Sequence, residues 1–90
     1  MNIHEVIYAS GHVQGVGFRA TTFYTAKSLG IVGYVKNLSD GRVLVEAVGT
    51  EQALESLRQM LESIPGDDET TLDITRKEVA ASFSEFEVRR

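Results

Sequence analysis

The chain contains no cysteine. Neither a disulfide nor a thiolate metal site is therefore available to it. It has no apolar run near the ~18 residues of a membrane span. Its first residues do not join a basic start to a long apolar stretch, so a signal peptide is not expected. A basic surplus is missing too: the net charge is −4. That disfavours a protein that coats DNA, RNA or an anionic membrane. A cytoplasmic protein, with no membrane and no nucleic acid as partner, is the expectation.

What is present suits one small domain spanning residues 1–90, with 42% hydrophobic residues and room for one sheet and about two helices. Charge is unevenly spread. Residues 1–45 carry two acids against four bases, a balance of +2. Residues 46–90 carry eleven acids against five bases, a balance of −6. Seven of the eight glycines lie between Gly11 and Gly49. A site for a small anion therefore belongs in the first half.

Hydropathy patterning predicts strands over Ile3–Ala9, Ile31–Leu38, Arg42–Val48 and Leu72–Val79, and a short last strand over Phe83–Val88. Val79 has the wrong parity for its strand, which predicts a bulge or strand end after Ile74. Helices are expected over Arg19–Leu29 and from Thr50 along the apolar stripe Leu54, Leu57, Met60, Leu61 and Ile64, ended by Pro65-Gly66. Asp67-Asp68-Glu69 reads as a solvated loop. The turn Asn37–Gly41 joins two strands as a hairpin. The order is βαββαβ with an extra short C-terminal strand. This is a ferredoxin-like α+β sandwich, an antiparallel sheet with two helices on one face.

Between the first strand and first helix lies Gly11-His12-Val13-Gln14-Gly15-Val16-Gly17-Phe18-Arg19. Glycines at 15 and 17 allow backbone angles that turn N–H groups inward. The helix N-terminus adds free N–H donors and positive partial charge. Together they can cradle a phosphate, with the planar fork of Arg19 closing over two of its oxygens. The alternative is a tight turn beside a surface arginine. A Walker A loop is excluded, because Gly17 precedes Phe18 rather than Lys. Gly15-x-Gly17-x-x-Ala20 meets the loose dinucleotide fingerprint, but Lys36-Asn37 stand where an acid is needed and a hairpin replaces the helical crossover. The aromatic RNA-recognition pattern is absent from Arg42–Val48. Tyr8 and Tyr34 still leave a sheet-based binder open.

The loop resembles the first signature of the acylphosphatases. Gly33-Tyr34-Val35-Lys36-Asn37-Leu38-Ser39-Asp40-Gly41 resembles their second, G-x-V-x-N-x-x-D-G. The resemblance implies hydrolysis of acyl phosphates to a carboxylate and inorganic phosphate, with no cofactor and no metal. It implies that Arg19 binds the phosphoryl group and Asn37 holds the attacking water. The substrate-binding loop is then His12, Val13, Gln14, Gly15, Val16, Gly17 and Phe18, acting through backbone N–H groups. It further implies a monomer, with an acyl phosphate as substrate and inorganic phosphate as product and competitive inhibitor. Two other readings stay open: a detached domain of a larger carbamoyl-phosphate-using protein, and a non-catalytic anion or RNA binder.

The remaining candidates have plainer expectations. His12 is expected to face solvent and His4 to be a strand-edge residue. Phe18, Phe23 and Tyr24 are expected in or near the core. Thr21 and Thr22 are expected to support the first helical turn. Lys36 and Arg42 are expected to add positive potential at the mouth of the site.

Overall fold

The computed structural model describes residues 2–11, 13–14, 17–63, 70–77 and 83–89. Along the chain run β1 (Ile3–Ser10), α1 (Phe18–Ser28), β2 (Val32–Asn37), β3 (Val43–Gly49), α2 (Glu51–Ser63), β4 (Thr71–Lys77) and β5 (Phe86–Arg89). The sheet order is β4-β1-β3-β2-β5. The first four strands are antiparallel neighbours throughout, the ferredoxin-like α+β arrangement expected from sequence. The short fifth strand adds a parallel pairing on β2, so the complete sheet is mixed.

The register decides which residues meet. Ile7 lies opposite Val45 and Ile74, and Ala9 opposite Val43 and Leu72. Val35 also faces Val45 across β2–β3. These residues share one face, and the buried Leu54, Leu57 and Leu61 of α2 and Phe18 and Ala26 of α1 complete the core there. α1 packs on β2 and β5, and α2 on β3 and α1. Gly33, the first residue of the second signature, is a steric requirement. A Cβ there would lie 1.9 Å from the Glu46 carbonyl oxygen.

Among the described residues, no interruption follows Ile74 as far as Lys77. β4 pairs with β1 without a break from Thr71 opposite Ser10 to Lys77 opposite His4. One residue of this stretch departs from apolar alternation: Arg76 occupies a core-side position, opposite Glu5. Glu5 is 1% exposed and accepts bonds from Arg58 Nη1 at 2.7 and 2.8 Å and from Arg76 Nε at 2.9 Å. A buried carboxylate needs such partners, so the polar residue at an apolar parity is paired rather than misplaced. Ile64, Pro65-Gly66, the Asp67–Glu69 loop and Val79 lie outside the described residues.

His4 is not at an edge. β1 is flanked by β3 and β4, and His4 is 4% exposed on the sheet face away from the helices. Its Nε2 lies 2.9 Å from Glu46 Oε1, while Tyr34 OH donates to the other carboxylate oxygen. Phe83 meets both rings edge-on, at 6.1 Å from His4 and 6.0 Å from Tyr34.

Candidate active site

β1 and β2 run parallel on either side of β3, so their C-terminal ends lie together. The loop after β1 leads into α1, and Asn37 is the last residue of β2. Asn37 pairs with Val43, a core residue, which sets its side chain on the helix side of the sheet. A spacing of eighteen residues thus becomes proximity. Val13, Gly17, Phe18, Arg19, Ala20 and Asn37 line one pocket of about 180 Å³. One water needs roughly 10–15 Å³, so a phosphoryl group with a water beside it has room.

Gly17 forms the N-cap of α1 with φ 78°, a left-handed conformation that favours glycine. It supplies no side-chain cap, and the first turn carries no acidic residue. Thr21 N donates to Gly17 O at 3.0 Å as the helix begins. The N–H groups before it have no partner in the helix and keep the positive end of the dipole. Thr22 Oγ1 donates to Phe18 O at 2.7 Å, which fixes the buried side of the first turn. This is the support expected of Thr22.

Arg19 is half-buried in that first turn. Among the described residues no carboxylate pairs with it, and the Asn37 amide makes no hydrogen bond. Among the described residues nothing spends the hydrogen-bonding capacity of this guanidinium fork and this amide, and both line one cavity. Val13 is fully buried and holds the loop against the core. His12, Gly15 and Val16 lie outside the described residues.

The Gln14 side chain has a task that sequence reasoning missed. Its Nε2 donates to Leu38 O at 2.8 Å and to Arg42 O at 2.9 Å. Both amide hydrogens are used, tying the loop to the β2–β3 turn next to Asn37. Nothing local marks a glutamine for this, since its partners are 24 and 28 residues away.

Lys36 and Arg42 contribute less to the site than expected. Lys36 pairs with Leu44 and has the opposite parity from Asn37, so it points to the other face. Arg42 Nε donates to Asp40 Oδ2 at 2.8 Å, and its guanidinium lies 4.6 Å from the Tyr8 ring centre. The Arg42 backbone N–H and then its side chain bond Asp40 and hold that carboxyl below its ordinary pKa. Tyr34 is likewise occupied, under Arg89 at 4.1 Å and bonded to Glu46. Neither ring is laid bare for a stacking base, which weakens the sheet-based binder. Among the described residues, no three His, Asp or Glu side chains are grouped as a metal ion would need.

The fold and site define a small α+β protein whose pocket is lined by a helix N-terminus, an arginine and an asparagine. The acylphosphatase family model matches residues 5–88. An acylphosphatase of Syntrophotalea carbinolica is 42% identical over 88 residues, covering 97% of this chain and 96% of its own. One from Archaeoglobus fulgidus is 56% identical over 59 residues, 66% of each chain. The crystal structure of acylphosphatase from Bacillus subtilis superposes with a TM-score of 0.87 at 30% identity, covering 98% of this chain and 99% of that one. The chain belongs to the acylphosphatase family and is an enzyme of that class. No helix among the described residues is long and apolar enough to cross a membrane.

Proposed function

We propose that the pocket hydrolyses acyl phosphates to a carboxylate and inorganic phosphate. One observation carries the reading: a helix N-terminus without a side-chain cap, Arg19, and an Asn37 amide with no partner among the described residues line the same cavity. Phosphoryl oxygens bind the N–H groups of the 12–18 loop and the start of α1, and Arg19 takes two of them in its fork. These donors neutralise charge as it redistributes in the transition state.

Asn37 holds the attacking water through its amide, which accepts from water and donates to it. It is no base at ordinary pH, so the water proton passes to a phosphoryl oxygen. The water oxygen forms a bond to phosphorus while the bond from phosphorus to the carboxyl oxygen breaks. The electron pair leaves with the carboxylate, a good leaving group, so positioning and charge neutralisation suffice. The same reading treats residues 1–90 as one domain, acting as a cytoplasmic monomer with inorganic phosphate as competitive inhibitor.

Purified protein mixed with benzoyl phosphate tests this. Turnover, inhibited competitively by inorganic phosphate and insensitive to EDTA, is the expected result. Phosphate binding without turnover would instead favour a non-catalytic anion-binding module.

A further inference from the structure

Tyr24 was expected near the core, but it is 71% exposed, the most solvent-accessible large hydrophobic residue among those described. A lone exposed aromatic needs no explanation; its position does. Phe18, Thr22 and Ala26 form the buried stripe of α1. At 3.6 residues per turn, Ala20 and Tyr24 lie about 180° round the helix from that stripe. Ala20 lines the pocket and Tyr24 stands one turn beyond it. Helical side chains lean toward the N-terminus, which for Tyr24 is the direction of Ala20. Phe23 supports it edge-on, with ring centres 5.2 Å apart, and Phe23 is anchored in turn against the buried Phe86 at 6.5 Å.

In-line displacement gives this position a meaning. Asn37 stands on the sheet side of the pocket, so water enters from there. The carboxylate leaves on the far side of phosphorus. That is the solvent side of α1, where Ala20 lines the pocket and Tyr24 follows one turn on.

Building on the phosphoryl-transfer reading above, we propose that Tyr24 is a shelf for the acyl group of the substrate. It favours acyl phosphates whose acyl group is flat and apolar, aromatic ones above all. Such a group stacks on or against the ring, whereas a short aliphatic acyl group does not reach it.

The test compares kcat/KM for benzoyl phosphate and acetyl phosphate in the wild type, Tyr24→Ala and Tyr24→Phe. The wild type prefers benzoyl phosphate. Tyr24→Ala lowers the benzoyl-to-acetyl ratio by about three- to tenfold, the worth of one aromatic contact. Tyr24→Phe keeps the wild-type ratio, because the ring remains. An unchanged ratio in Tyr24→Ala, or equal proportional losses on both substrates, overturns the shelf while leaving the hydrolase reading intact. Failure of the wild type to turn over either substrate contradicts the hydrolase reading itself, and the shelf falls with it. Circular dichroism verifies the fold of each variant.

Discussion

Gln14 Nε2 donates to the carbonyl oxygen of Leu38 at 2.8 Å, a bond from the anion loop to the residue that follows Asn37. Its second hydrogen reaches Arg42 O across the same turn. The two halves of the proposed site, phosphoryl cradle and water holder, are thus fastened by one side chain. Gln14→Leu keeps the bulk and removes both donors. The expected cost is about 1–3 kcal/mol of stability, from carbonyls that lose a partner. Because small misplacements of reacting groups are costly, kcat should fall more than about tenfold. Urea unfolding and steady-state kinetics on the same preparation check both.

Arg19 makes no ion pair among the described residues, so its removal should cost little stability. Loss of one preorganised donor typically lowers rate by about 10²–10³, and Arg19→Ala should lose at least that. Arg19→Lys retains the charge without the fork and should fall between wild type and Arg19→Ala. Calorimetric titration with inorganic phosphate should show binding weakened in the same order.

Glu5, Arg58 and Arg76 join β1, α2 and β4 far from the pocket. Glu5→Ala leaves two guanidinium groups without their buried partner. Both arginines are partly exposed and keep Glu51 as a partner, so the cost is about 1.5–3 kcal/mol, that of lost hydrogen bonds to a charged group. A lowered urea midpoint is expected, with kcat unchanged at temperatures where the variant is folded.

On the other sheet face, burial and then the hydrogen bond to the Glu46 carboxylate push the Tyr34 hydroxyl up to about 12, from an ordinary 10.0. The folded state therefore holds this proton more tightly than the unfolded chain. Its stabilisation is complete below pH 10 and is lost as pH rises towards 12. Wild type should lose stability over that interval more steeply than Tyr34→Phe, measured by urea unfolding at each pH. Glu46 titrates at the other extreme. Burial acts to raise its carboxyl, but hydrogen bonds from Tyr34 and His4 outweigh this and hold it below the usual 4.5.

The legibility of these features in the sequence follows the range of the interactions behind them. Arg19 stands out locally because it opens a helix after a glycine-punctuated loop, whereas Asn37 is singled out only by the resemblance of its segment to the second acylphosphatase signature. The βαββαβ order then brings the two strand ends together. The exposure of Tyr24 is not legible because aromatics within a short amphipathic pattern default to the core, whereas the buried stripe of α1 is only Phe18, Thr22 and Ala26. The place of His4 near the chain start suggests an edge residue. Strand order, not sequence position, makes β1 interior. The partners of Gln14 and Glu5 lie 24 to 71 residues away, and no local pattern announces them.

The account rests on Asn37 as the residue that holds the attacking water beside a phosphoryl group bound by Arg19. The most direct test is the kcat of Asn37→Ala on benzoyl phosphate, measured alongside its affinity for inorganic phosphate. Asn37 is half-buried and its side chain is bonded to no described residue, so the variant should fold. The prediction is a kcat lower by about 10²–10³, with phosphate affinity close to wild type. An Asn37→Ala enzyme that binds phosphate and turns over at the wild-type rate would contradict it.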